Sequence, residues 1–94
     1  MIQLSKVTRW SVEYSSRAEK FLEKLDSSSE QRIATTLNII AERGFPRSYG
    51  KPLRGELAGL WSYRVRAYRV LVDIQDRRLV ILAVKIAHRK EVYR

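Results

Sequence analysis

Hydrophobic and polar residues follow two different periods along this chain, and the period changes with position. Residues 10–14 (WSVEY) alternate aromatic or β-branched residues with polar ones, which is typical of a short strand. Apolar residues then recur at helical spacing over 16–26, and a second helical stripe follows that should end at Gly44. The polar break at 26–29 is so short that the two helices are expected to form an antiparallel hairpin.

In the second half of the chain the period becomes that of strands. Residues 45–59 are rich in glycine and proline and predict a loop. A strand follows in which Arg64 and Arg66 should share one face, while aromatic and β-branched residues share the other. After a tight connection, a second strand covers 68–74, and the apolar run 79–86 predicts a central strand that is covered on both faces.

The predicted order of elements is therefore β-α-α-β-β-β. With 94 residues the chain is large enough for one small core and too small for two, so residues 1–94 are expected to form a single domain. The fold class is α+β: an antiparallel-rich sheet of about four strands, with the N-terminal helical hairpin on one face. The other face of the sheet should be partly open.

Charge is distributed unevenly between the two halves of the chain. The formal net charge is +9. Residues 1–46 hold seven Lys or Arg against six Asp or Glu, whereas residues 47–94 hold twelve against four. Such a polarised basic surface favours a polyanionic partner, which could be RNA, DNA or an acidic protein. A basic surface that only aids solubility is the competing interpretation.

Several common classes of function are not supported by the residues present. The chain has no cysteine and one histidine, so neither a disulfide nor a conventional zinc site is expected, and no cofactor is implied. No glycine-rich phosphate loop follows a predicted strand. The longest apolar run, 79–84, is too short to span a bilayer, and the first residues lack the apolar core of a signal peptide. A cytoplasmic protein is therefore expected.

The remaining candidates for chemistry are basic and aromatic residues of the second half. Cleavage of RNA without a metal needs a group that removes the proton of the 2′-hydroxyl and cations that neutralise the crowded phosphate. Guanidinium groups supply that charge, and a tyrosine beside several arginines would have its phenolate stabilised. The candidates are Arg64, Arg66, Arg69, Arg89 and Tyr93, with His88, Lys51 and Arg54 beside them.

Each of these residues also has a structural interpretation. Arg64 and Arg66 could simply cover a solvated strand face. Arg69 lies between apolar neighbours and could make a structural hydrogen bond. Tyr93 could be an ordinary packing residue near the C-terminus, and a lone histidine such as His88 is more often structural than catalytic.

Three segments resemble one known family when they are taken together. They are KPLRG at 51–55, YRVRAYRVLV at 63–72 and AHRKEVYR at 87–94. In this order, in a basic chain with two helices ahead, they are similar to the RelE branch of the RelE/ParE superfamily, the toxins of type II toxin–antitoxin pairs. The resemblance covers the whole chain and implies the β-α-α-β-β-β fold.

The resemblance also implies an activity and partners. RelE-like toxins are endoribonucleases that cut mRNA in the A site of the 30S ribosomal subunit, and an antitoxin protein wraps the toxin and blocks it in a hetero-oligomer. By position, Arg69 and Arg89 match the family's functional arginines, and Tyr93 matches the tyrosine assigned as general base. The implied RNA-binding residues are Lys51, Arg54, Arg64, Arg66 and His88, of which His88 lies at a variable position.

Two alternatives from other functional classes stay open. The ParE branch of the same superfamily shares the fold and inhibits DNA gyrase without catalytic residues of its own. A basic RNA-binding module without catalysis would need only the charge and the aromatic rings. Arginine releases a proton far less readily than lysine, so Arg64 and Arg66 would also alter any mechanism in which a lysine exchanges a proton.

Overall fold

The structure is a computed structural model, and it describes residues 10–88. One five-stranded sheet carries two helices on one face. The strands are β1 (Ser11–Tyr14), β2 (Lys51–Pro52), β3 (Trp61–Val65), β4 (Tyr68–Gln75) and β5 (Val80–His88). The helices are α1 (Ser16–Glu23) and α2 (Ser27–Arg43).

The sheet has the order β1-β5-β4-β3-β2. β5 runs parallel to β1, and the other three neighbouring pairs are antiparallel. The predicted α+β class and the antiparallel-rich sheet are therefore confirmed. The sheet has five strands rather than about four because Lys51–Pro52, inside the predicted loop, adds a two-residue edge strand to β3.

Local interactions fix where the two helices begin and end. The Ser15 hydroxyl caps α1 by accepting a hydrogen bond from the Ala18 amide at 3.0 Å. α1 ends at Glu23 rather than near 26, because Asp26 takes an extended conformation in which its carboxylate caps α2 through the Ser29 amide. Gly44 ends α2 with a φ of 75°, a left-handed value that glycine adopts readily.

The core lies between the helices and the adjacent face of the sheet. The buried helical residues are Ala18, Leu22, Ile33, Leu37, Ile40 and Ala41. They pack in one cluster against Tyr63, Val65, Val70, Val72, Ile74, Ile81, Ala83 and Ile86 of the sheet. The predicted apolar stripes of the two helices are confirmed. Strand residues outside this cluster that alternate with its members point to the face of the sheet away from the helices.

Tyr63 is part of this core. It is 1% exposed, and its hydroxyl donates a hydrogen bond of 2.8 Å to the Pro46 carbonyl. Burial raises the pKa of Tyr63 to about 12, so this phenol is neutral at physiological pH. Gly50 lies directly beside it, since a Cβ at Gly50 would come within 2.8 Å of the Tyr63 ring and of the Ser62 carbonyl. The close approach of these backbones positions the adjoining strand β2.

Neither helix within residues 10–88 is long and apolar enough to cross a membrane.

Candidate nucleic-acid interface

Four basic residues share the face of the sheet that lies away from the helices. Paired residues on neighbouring strands point to the same side of a sheet, and side chains alternate along each strand. Lys51 pairs with Ser62, and Ser62 pairs with Leu71, which in turn pairs with Lys85. Two positions further along β3, Arg64 pairs with Arg69. We call Lys51, Arg64, Arg69 and Lys85 the cationic face.

Arg64 and Arg69 lie directly opposite each other on neighbouring strands. The Cβ atoms of such a pair are about 4.5–5.5 Å apart, and like charges in this position destabilise a sheet. Arg64 is exposed and Arg69 is half-buried. Guanidinium groups donate forked hydrogen bonds to phosphate oxygens, so this pair is suited to hold a phosphate.

The floor between the basic residues contains a buried hydroxyl. Ser62 is 4% exposed, and its Oγ atom has no hydrogen-bond partner within the described part of the chain. Leu71, beside it in the same row, is 3% exposed. Most buried polar atoms are hydrogen-bonded, so each exception calls for an explanation, and a catalytic role or a bound ion is one such explanation. The Ser62 hydroxyl thus adds a second feature that favours a site on this face.

The opposite end of the same face is acidic. Glu13 pairs with Leu82, and Leu82 pairs with Asp73, so both carboxylates lie on the side of the cationic face. Arg78 bridges this end: it donates hydrogen bonds to Gln75 at 2.7 Å and to Glu13 at 3.1 Å. Because these acids are gathered at one end, the excess positive charge is concentrated around Arg64 and Arg69.

The structure separates Arg66 from Arg64. The prediction that the two share a strand face is wrong, because β3 ends at Val65 and Arg66 lies in the two-residue turn to β4 with a φ of 57°. Arg66 instead lines a cavity of about 140 Å³ on the side of the helices, together with Arg32 and Ser28. Its predicted contact with RNA stays a prediction, but it would come from the hairpin tip.

His88 also lies on the side of the helices. It is the last residue of β5 and pairs with Tyr68, whose ring is edge-on to the imidazole with centroids 5.7 Å apart. Phe21 of α1 packs edge-on against the same tyrosine at 6.1 Å. His88 is thus part of an aromatic group behind the sheet, and its predicted RNA contact would have to be made there.

The other predicted residues are distributed as follows. Arg54 is exposed just beyond β2, at the start of a 3₁₀ helix at Gly55–Leu57, and it is not on the strands of the cationic face. Arg89 and Tyr93 lie outside the described residues, so their predicted catalytic roles stay predictions. Strands β2, β3 and β4 nevertheless bring Lys51, Arg64 and Arg69 together on one open face, although the sequence predicts a loop at Lys51.

Lys85 is the member of the cationic face that sequence reasoning missed. The run 79–86 predicts a strand that is apolar on both faces, and Lys85 is its one charged residue. A charge within such a run is a signal, but the side of the sheet to which it points depends on an irregularity of β5. Val84 has no partner on β4, since Leu71 pairs with Lys85 while Val72 pairs with Ala83.

Known proteins resemble this chain in sequence and in fold. Residues 12–93 match the family described as the ParE toxin of the type II toxin–antitoxin system parDE. Toxin RelG of Mycobacterium tuberculosis is 43% identical over 49 residues, which are 52% of this chain and 56% of RelG. The matched part thus spans about half of the length of that relative.

Solved structures extend the likeness to nearly the whole chain. The toxin–antitoxin complex RelBE2 from Mycobacterium tuberculosis contains a chain with a TM-score of 0.79 and 28% identity, over 90% of this chain and 97% of that one. A free mutant of the E. coli toxin RelE gives a TM-score of 0.72 at 20% identity, over 90% and 88% of the two chains. The second likeness is one of fold alone.

Proposed function

This chain belongs to the ParE toxin family of type II toxin–antitoxin systems, on the RelE branch of the RelE/ParE superfamily, and from that premise we propose that it is a ribosome-dependent mRNA endoribonuclease. The substrate would be mRNA in the ribosomal A site. The cut would be made by attack of the 2′-hydroxyl on the adjacent phosphate, without a metal.

The observation that carries this proposal is the opposed pair Arg64 and Arg69 on an open sheet face. The guanidinium groups of two arginines paired across neighbouring strands can together donate to the free oxygens of one phosphate and stabilise the charge that grows on it as the 2′-oxygen attacks. Catalysis would need a proton acceptor as well. We propose Tyr93 as that proton acceptor and Arg89 as a further cation of the site, because both match positions of the RelE pattern.

A second protein is proposed as the natural partner. The similar structures RelBE2 and the intact E. coli RelBE are toxin–antitoxin complexes, and we infer an antitoxin for this chain also. A groove of about 240 Å³ between α2 and β3 supports a protein contact. It exposes Ile39 and Tyr49, and Arg43 lines it as well. Arg64 also lines it and so borders both this groove and the cationic face. An apolar segment with acidic residues would suit this surface.

The test is induction of the chain in bacteria, followed by mapping of mRNA 5′ ends with and without ribosomes. We expect cuts inside codons that occur only on translated messages. Arg69→Ala should reduce cleavage on the order of a hundredfold, because one preorganised donor to the developing charge is lost. Arg77→Ala, which removes an exposed arginine from the turn between β4 and β5, is the matched control and should cleave normally.

Other outcomes would contradict the proposal in distinct ways. Normal cleavage by Arg69→Ala, Arg89→Ala and Tyr93→Phe would overturn the assignment of the site. Growth arrest with intact mRNA and signs of DNA damage would support gyrase inhibition, the activity of the ParE branch. RNA binding without cleavage or arrest would leave a binding module.

A further inference from the structure

We propose that Lys85 is a phosphate-binding residue of the cationic face, placed there by a β-bulge in β5. The inference rests on the proposed function in one respect, which is that the polyanion is RNA. It adds a fourth cation, on a strand whose predicted role was structural.

The bulge decides which side of the sheet Lys85 occupies. Ile81 and Ala83 belong to the core behind the sheet, and unbroken alternation would send the side chain of residue 85 to the same side. Val84 is the extra residue, and Lys85 therefore pairs with Leu71, on the open face. Bulges that re-aim a side chain in this way recur beside active sites.

Hydrogen bonds from Ser15 hold the bulge in place. The Ser15 hydroxyl, which caps α1, also donates a hydrogen bond of 2.9 Å to the Val84 carbonyl. The Ser15 amide donates to the neighbouring Ala83 carbonyl at 2.9 Å. One residue at the start of α1 thus satisfies two carbonyls around the bulge, which makes the direction of Lys85 a fixed property of the fold.

Lys85 completes an arc of positive charge. It is diagonal to Arg69, because Arg69 pairs with Ala87, two residues further along β5. Diagonal neighbours of this kind lie about 7–8 Å apart, within reach of long side chains. Lys51 is diagonal to Arg64 in the same way on the other flank, since it pairs with Ser62. The arc surrounds the Ser62 hydroxyl and can follow successive phosphates of one strand.

The experiment measures affinity for a single-stranded RNA oligonucleotide, without ribosomes, over a range of salt concentrations. Lys85→Met keeps the aliphatic stem and removes the charge. We expect roughly tenfold weaker binding at low salt, and a slope of log affinity against log salt that is smaller by about 0.7, the value for one lost phosphate contact. Lys85→Arg should restore both the affinity and the slope.

The matched control is Lys20→Met, which removes one exposed lysine from α1 and the same net charge. It should leave the slope unchanged. An equal change of slope in Lys20→Met and Lys85→Met, or an unchanged slope in Lys85→Met with native circular dichroism, would overturn the inference. So would a wild-type chain that does not bind the oligonucleotide. If Lys85→Met is misfolded, Lys85→Glu is tested by the same salt titration. We expect its slope of log affinity against log salt to be smaller than that of the wild-type chain.

Failure of the proposed function would look different. A wild-type chain that binds RNA with the full slope but leaves ribosome-bound mRNA intact would refute the nuclease and keep the Lys85 contact. A chain that cleaves translated mRNA while Lys85→Met retains the full slope would refute the contact and keep the nuclease.

Discussion

Tyr63 is a polar residue of the core, and its burial keeps its hydroxyl out of the candidate site. The phenol has a pKa raised to about 12, and its hydroxyl is committed to the Pro46 carbonyl. It therefore neither stacks on a base nor accepts a proton at neutral pH. Its role is to tie the segment after α2 to the middle of β3.

We expect Tyr63→Phe to lower the free energy of unfolding by about 1–2 kcal/mol, because a buried carbonyl loses its donor. Urea unfolding followed by circular dichroism measures this. Tyr68→Phe is the matched control: the Tyr68 ring packs against Phe21 and His88, and its hydroxyl makes no hydrogen bond within residues 10–88. Equal losses in the two variants would show that the Pro46 contact does not stabilise the fold.

Single residues also show where the sequence was sufficient. Alternation and a tight turn were sufficient to place Arg69 on the strand that adjoins Arg64, close to it across the hairpin. The face on which Lys85 lies could not be predicted from the sequence. A bulge reverses the face of every residue after it, and an apolar run has no pattern that reveals where a bulge occurs. Arg66 was assigned wrongly because a turn residue has no partner strand that fixes its direction.

At the scale of elements, the hairpin of β3 and β4 carries local strain. Arg66 has a φ of 57°, a region that costs an L-residue about 1–2 kcal/mol and costs glycine almost nothing. Two-residue hairpin turns commonly place glycine at such a position. The arginine is thus an unfavourable choice for the backbone, in keeping with a role for its side chain.

Comparison of Arg66→Gly with Arg66→Ala isolates this strain, because both variants lose the same guanidinium group. We expect the glycine variant to be about 1 kcal/mol more stable than the alanine variant. Thermal or urea unfolding of the two proteins is sufficient. Equal stability, or a more stable alanine variant, would mean that the turn relaxes and stores no strain.

Elements with a strong period were predictable, and very short ones were not. Both helices and the three long strands could be recognised from their apolar spacing. Strand β2 could not, because the two residues Lys51 and Pro52 carry no period. Its position is fixed by the close approach of Gly50 to Tyr63. This is a tertiary contact, which the local sequence pattern does not predict.

For the whole molecule, an ion pair closes the end of the sheet far from the hairpin tip. Arg47 donates two hydrogen bonds, of 2.9 and 2.8 Å, to the Asp76 carboxylate, and so joins the 3₁₀ helix at Pro46–Tyr49 to the turn between β4 and β5. Arg47 also lies over the Trp61 ring, 5.9 Å from its centroid. The hydrogen bond from Arg47 lowers the pKa of Asp76.

A lowered pKa in the folded state means that the carboxylate stabilises the fold above the ordinary pKa of aspartate, about 3.9. That contribution is lost as the pH falls through the lower pKa of the folded state. We expect Asp76→Asn to have a lower Tm than wild type at pH 7, with a difference that shrinks below about pH 4. Melting curves of both proteins at pH values from 7 to below 4 test this. A Tm difference that stays constant with pH would contradict it.

The pairing of β1 with β5 has a consequence for the order in which the molecule can assemble. Ser15 and Val84 are joined by a hydrogen bond although they are 69 residues apart in the chain. A chain that emerges from its N-terminus therefore holds β1 without a partner until residues 80–88 have been synthesised. Such non-local pairing slows folding. Because the bulge that aims Lys85 is fixed by Ser15, the cationic face is completed only after residues 80–88 have been made, so a shorter nascent chain does not yet present it.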